Sequence, residues 1–461
     1  MILRKLLMKR SIYFLCFLLP IIAGAQQPWL KYFPMDYLWM NVGAADFSNG
    51  SAYSLSLAFS PSGDPYVVFS DEANNERASV MKYDGSGWVY VGNEGLTAGS
   101  AYYTRIAFSP GGEPYIAFED NSSGNSVTVM KFNGTDWITV GTPGFSPAFS
   151  EHIDLAFSPE GIPYVAYWIH ETPFQVSVMK FDGANWVYAG NPEIAYSFYS
   201  VDLDFYPTGE PCVAYADVNS QKACVKKFDG MNWNYLGAQG FSAGQAETPC
   251  LAIDSTGTPY VAYVDPLNNM AATVMKYDGI HWVSVGPAGF TGSEADNISL
   301  AMSPSGDPYL AFSEGASAGK ASVMRFDGSN WIYAGTAGFS AGPTSRNDLA
   351  FHPSGTPYVA VEDSDNQDMA TVMKYDSVIS GIENIAGSKL LIYPNPVQDR
   401  VTIESSVTGD LSILAPDGQN LLQVELKEPT ATIDVSALPS GVYLVKVVAE
   451  KGVQVGKFTK R

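Results

Sequence analysis

Seven copies of one phrase, 48 or 49 residues apart, limit what this chain can fold into. The phrase G-x-P-Y-V-A, with small variations, puts a proline at 65, 114, 163, 211, 259, 308 and 357. Tryptophan recurs with it, 47 or 49 residues apart, at 39, 88, 137, 186, 233, 282 and 331. A period of this length marks supersecondary units that cannot bury their apolar faces alone and must stack on copies of themselves.

Within one unit, four strands are legible. The first unit has strand a at 54–60, a Pro-Ser-Gly-Asp turn, strand b at 65–70, strand c at 78–83 and strand d at 88–92. They are short and rich in Val, Tyr and Phe, with turn residues between them. Strand c is almost continuously apolar, as expected of a sheet covered on both faces. Asp84-Gly85, Asn133-Gly134, Asp182-Gly183, Asp229-Gly230, Asp278-Gly279 and Asp327-Gly328 join c to d, and glycine there accepts the positive φ of a hairpin.

The seventh unit supplies a, b and c but no d, whereas 38–43 is a d strand with no unit in front of it. The fold expected is all-β: a seven-bladed β-propeller over 26–376, its last blade closed by the N-terminal strand, followed by a small Ig-like β-sandwich. The architecture resembles WD-repeat and kelch-type propellers, although neither the WD dipeptide nor the kelch double glycine recurs. The D-G-x-x-W phrase is similar to the Asp-box of sialidases but lacks that box's residue between Asp and Gly.

Residues 1–25 have the layout of a cleaved signal peptide: Arg4, Lys5, Lys9 and Arg10, an apolar run from 12 to 22, then Ala23-Gly24-Ala25. The apolar run is too short to span a bilayer. Without the leader, 22 basic residues face 47 acidic ones, a net charge of −25. That balance argues against nucleic acid as a partner. No further stretch is apolar and long enough to cross a membrane. Cys212, Cys224 and Cys250 replace other residues of the repeat, which suits buried free thiols, with a Cys212–Cys224 bridge as the alternative.

After the repeats, 377–388 is a linker and 389–461 a different domain with short alternating strands around 401–404, 411–414, 432–435, 442–448 and 453–458. Tyr393-Pro394-Asn395-Pro396, the L-P-S-G-V-Y-L-V phrase containing Gly441 and Tyr443, and a basic end with Lys457 and Lys460 resemble the C-terminal sorting domain of the type IX (Por) secretion system. The resemblance implies passage through the periplasm, recognition by the type IX translocon, and a secreted or cell-surface destination.

Function is expected on the face carrying the longer b–c and d–a loops. Strand b ends in an acid at Asp71, Asp120, Asp217, Asp265, Glu314 and Asp363; a structural role in each loop is favoured, with a cation such as calcium as the alternative. Features that break the repeat are better site candidates: Trp168, His170 and Glu171 of blade three, with Tyr102, Tyr103, Phe149, His152, Tyr196, Phe198 and Tyr199 in flanking loops. Together they suggest an aromatic, partly exposed patch that binds a glycan or an extracellular protein. Channel plugging by these apolar side chains is the alternative.

No catalytic set or metal site is assigned. Arg77, Arg105, Arg325 and Arg346 fall mostly in separate blades, and His152, His170, His281 and His352 lack metal-ligand spacing. The expected function is a non-enzymatic binding protein. A propeller-type glycosidase or lyase, using acids such as Glu151 and Glu171, and a passive adhesin or scaffold are the alternatives.

Overall fold

The computed structural model describes residues 35–170, 174–197, 200–379, 390–415, 420–449 and 452–461. The proposed leader, most of the linker, and Glu171, Phe198 and Tyr199 lie outside these. Two compact units are present, Asp36–Val378 and one containing Ile379–Arg461.

The first unit is a seven-bladed propeller of antiparallel sheets. In blade one, strand a is Ala52–Phe59, b is Pro65–Asp71, c is Arg77–Tyr83 and d is Trp88–Tyr90. The c–d connection is a four-residue loop, 84–87. Gly85 has φ +92° there, and Asp84 accepts from the N–H groups of Ser86 and Gly87. Asp182, Asp229, Asp278 and Asp327 do the same in their own blades. These side chains cap the turn, which is why Asp or Asn stands at every hairpin. Blade three carries an additional two-residue strand, Ala195–Tyr196, against its strand c.

Blade seven takes its outer strand from Met35–Asn41, giving the order d-c-b-a across the sheet. Val42, Phe47 and Ala52 then donate backbone hydrogen bonds to Val372, Ala370 and Asp368 of the same blade at 2.8–3.0 Å.

The repeated tryptophan explains the seal. Each indole N–H donates to a carbonyl at the end of the preceding blade's outer strand, always at 2.7 Å: Trp88 to Val42, Trp137 to Val91, and so on round to Trp39, which donates to Ala334. A Phe from the preceding blade stacks on five of the rings, as Phe339 does on Trp39 at 4.3 Å. The glycine of W-x-x-x-G belongs to the next joint. Gly92 has φ +82°, and a Cβ there would come within 2.9 Å of Trp137. One phrase therefore encodes half of each of two joints. Seven apolar clusters, one for each pair of neighbouring blades, form the core among the described residues. Burying one Trp at such a joint contributes roughly 2–3 kcal/mol.

Strands a are innermost, packed against one another around a channel of about 1030 Å³. Near the start of the strand most carry a bulge, where two residues oppose one on strand b. Five bulge residues, Ser54, Tyr103, His152, Thr248 and Asn297, have φ between +42° and +56°. Bulges re-aim side chains, here at one mouth of the channel.

Cys212, Cys224 and Cys250 are free. Cys212 packs in the core between blades four and five and Cys224 in that between blades three and four, so the two thiols lie on opposite faces of one sheet and the bridge is excluded.

The second unit is a sandwich. One sheet has strands Leu391–Tyr393, Arg400–Glu404 and Thr430–Asp434; the other has Asn420–Leu426, Gly409–Leu414, Gly441–Ala449 and Gly452–Lys460 in that spatial order. Val401, Ile403, Leu411, Ile413, Val445, Val447 and Phe458 fill the space between them. The strands at 391–393 and 420–426 were not anticipated from sequence; the first is three residues long, and the second was missed although Leu422, Val424 and Leu426 alternate with Gln423 and Glu425.

Candidate functional site

The candidate site is the mouth of the channel where strand b meets the start of strand a. Tyr103 and His152 occupy bulges of neighbouring blades, with ring centroids 4.9 Å apart. His152 meets the edge of Trp168 at 5.7 Å, and Trp168 lies 4.9 Å from His170. Glu151 joins the same group, accepting from Tyr103 Oη at 3.1 Å and lying 2.9 Å from His170 Nδ1.

Trp168 does not present its ring to solvent, as the sequence suggested. It is 2% exposed, stacks on Phe174 at 5.6 Å, and donates its indole N–H to the Ser197 carbonyl at 3.0 Å. Its position next to the end of strand b puts it in the core between blades three and four. Of the other candidates, Phe149 is 46% exposed, and Tyr196 is turned outward onto Glu193. Tyr102 donates to the Glu76 carboxylate on blade one. Tyr103, His152 and His170 are thus the described candidates that come together.

Three residues not chosen from sequence complete the cluster. Glu119, next to the end of strand b in blade two, is 6% exposed and is pushed up to about 7 by burial and by the Glu151 charge, against His170. Arg105 and Arg346 line the channel wall. Arg346 donates from Nε to the Leu55 carbonyl of blade one at 2.8 Å, and burial and the Arg105 charge bring it down to about 10. Sequence placed these arginines in separate blades; the ring places blades seven, one and two side by side. His152 is brought down to about 4, chiefly by burial, with both arginines adding and Glu151 opposing, so it is neutral at pH 7.

Further along strand a, the channel wall has a structural duty that Arg105 does not share. Side chains at the equivalent position accept the N–H of the next blade: Ser56 from Ile106, Asp154 from Leu203, Asp202 from Leu251, Ser299 from Leu349 and Asp348 from Leu57. A guanidinium accepts nothing. Leu155, which would donate to position 105, turns instead to Asp154 Oδ1, and Arg105 sits 3.5 Å from that same oxygen. Asp202 is pushed up by burial and by Asp154 beside it, and Asp204 is pushed up to about 7 by burial.

The acids ending strand b do not face one centre. Asp120 accepts from Ser122, Ser123 and Thr128, Asp265 from Leu267, Asn268 and Thr273, and Glu314 from Ser317, Ser322 and Tyr333. Asp71, Asp217 and Asp363 likewise bond within or beside their own loops. In five blades this ties a short loop helix to its sheet, and in blade four Asp217 holds a turn. Among the described residues no group of three or more His, Cys, Asp or Glu side chains is placed to hold a metal.

In the sandwich, the two ends of the sorting motif meet. The Asn395 amide donates to the Lys457 carbonyl at 3.2 Å and accepts from the Thr459 N–H at 2.9 Å. Val397 is wholly buried and exchanges backbone hydrogen bonds with Thr459 and Arg461. Tyr443 stacks on Phe458 and donates to the Pro439 carbonyl at 2.8 Å, bracing the L-P-S-G-V-Y turn. Tyr393 donates to Glu404. Pro394, Pro396 and Lys457 are exposed, while Gly441 and Lys460 are half-buried.

No curated protein matches the chain in sequence. Among solved structures it is similar to PorZ, a bacterial surface component of the type IX secretion system of Porphyromonas gingivalis, at 15% identity and TM-score 0.45 over 92% of this chain, and it spans 61% of the length of PorZ. It is also similar to the Aleuria aurantia lectin AAL (14% identity, TM-score 0.43, 65% of this chain and 100% of the lectin) and to the polysaccharide lyase Uly1 (9%, 0.46, 76% and 94%). Residues 391–461 match the family described as secretion system C-terminal sorting domain. The chain therefore carries a Por-type sorting tail, which implies export by the type IX secretion machinery to the cell surface or beyond.

Proposed function

We propose that the exported propeller is a binding protein that takes a glycan at the channel mouth formed by blades seven, one, two and three. The observation that carries this reading is the convergence of Tyr103, Glu151, His152 and His170 in one hydrogen-bonded and stacked group; where blades two and three have Tyr103 and His152, four of the other five blades have Ser54, Ser200, Thr248 and Asn297. Aromatic faces beside fixed donors and acceptors are what a sugar needs, since its ring offers C–H faces rimmed by hydroxyls. The test is a glycan panel probed with the purified mature chain. Binding is expected, and Tyr103→Ala or His170→Ala is expected to weaken it about ten-fold. A panel with no ligand, or variants that bind as the parent does, overturns the reading in favour of a passive adhesin.

Glu119 favours a second reading. A carboxyl held near 7 beside Glu151 is a proton donor at neutral pH, as a glycan-processing enzyme requires. That reading expects cleavage of a panel polysaccharide, abolished by Glu119→Gln.

A further inference from the structure

Arg105 and Arg346 are half of the propeller's arginines, and they face one channel in a strongly acidic molecule. They reach it from blades two and seven, with blade one between them. Blade one's counterparts of Arg105 and Arg346 are the short side chains Ser56 and Ser54, and Ser56 lines the same channel. Each arginine opposes the charge of the other.

Neither arginine is saturated by local structure: Arg105 lies 3.5 Å from Asp154 Oδ1 through Nε and donates from Nη1 to the Thr104 carbonyl at 3.4 Å. Arg346 makes one hydrogen bond, from Nε to Leu55; among the described residues its two terminal nitrogens, with four N–H groups, have no protein acceptor. Arg105 occupies a position whose ordinary work is to accept a hydrogen bond, and it breaks that link. The nearby acids offset part of both charges, Asp154 beside Arg105 and Glu362 and Asp348 near Arg346, but also accept from backbone and hydroxyl donors: Asp154 from Leu155 and Leu203, Asp348 from Leu57, and Glu362 from Leu55 and Ser345. Two like charges lining one channel, with donors left over, fit an oxyanion that accepts from both.

We propose that the wall between Arg105 and Arg346, behind Ser56, is a subsite for an oxyanion on the ligand, so that the glycan taken at this mouth is an acidic one carrying carboxylate or sulfate groups. This rests on the binding reading above and narrows its ligand class.

The test is calorimetric titration of the mature chain with a uronate oligosaccharide, a sulfated oligosaccharide, neutral oligosaccharides of the same linkages, and sodium sulfate as competitor. The expected result is binding of at least one acidic oligosaccharide, with its neutral counterpart about ten-fold weaker or worse. Arg105→Gln and Arg346→Gln should each lose about ten-fold, Arg105→Lys less, and sulfate should compete. Whether carboxylate or sulfate binds more tightly identifies the oxyanion. Thermal melts of each variant separate lost binding from lost folding; Arg105, without the Leu55 contact, is the cleaner probe. Neutral and acidic ligands bound equally, with both arginine variants unaffected, would overturn the subsite and leave the glycan reading standing. No binding by any member of the panel overturns both.

Discussion

The outer rim and the inner wall of the propeller are built from the same seven repeats and treat them differently. At the rim, the tryptophan joint is reproduced seven times with the same donor, a matching acceptor and the same 2.7 Å distance, including the joint made by the N-terminal strand. At the wall, one strand position carries in turn Ser56, Arg105, Asp154, Asp202, Cys250, Ser299 and Asp348. Identity around the rim reflects a mechanical task common to all interfaces; at the wall five of these side chains still accept an N–H of the next blade, and Arg105 departs from that duty.

The strongest way to break this contrast is to open the rim. Removing residues 26–52 takes away the outer strand of blade seven and exposes parts of two inter-blade cores. Calorimetry should show loss of the parent's cooperative transition, and an unchanged melt would mean the ring is not sealed there. Next in size, Trp39→Ala should destabilise by about 3–5 kcal/mol, as should Trp282→Ala in the middle of the chain. Denaturant titration of both sharpens the point, because a much smaller effect at Trp39 would show that the closing joint is weaker than the rest.

A smaller effect belongs to the wall. The folded state holds Glu119 near 7, above the ordinary 4.5, so between those values the folded chain binds more protons than the unfolded one. Its contribution to stability is present in full below about 4.5 and is lost as pH rises through 7. Glu119→Gln should therefore melt above the parent at pH 8 and close to it at pH 4.5. Since Asp202 and Asp204 also titrate upward of their ordinary values, the difference between variant and parent is the quantity to follow. Least of all should a chelator matter: with the strand-b acids bonded to their own loops, EDTA is expected to leave the melting temperature unchanged, and a drop of several degrees would reinstate a cation.

What could be read from sequence divides along the same line. Blade count, hairpins and the closing strand were legible because each signal occurs six or seven times and depends on local turn chemistry and apolar patterning. The site was only half legible. Tyr103, His152 and His170 stood out as breaks in the repeat, but exposure of a break depends on neighbours from other blades, and Trp168 proved to be core. Arg346 and Leu55 meet across 291 positions, a proximity created by ring closure alone. Bulges at the start of strand a, which aim side chains at the channel, have no clear residue signature, because Ser, Tyr, His, Thr and Asn all adopt the strained φ there.

The central claim is that the rim holds the molecule while the wall binds, and affinity for an acidic oligosaccharide in two variants tests it most directly. Trp282→Phe at the rim should melt at lower temperature yet bind as the parent does, whereas Arg105→Gln at the wall should melt like the parent and bind about ten-fold more weakly. Parent-like affinity in Arg105→Gln, together with weakened binding in a still folded Trp282→Phe, would contradict the account.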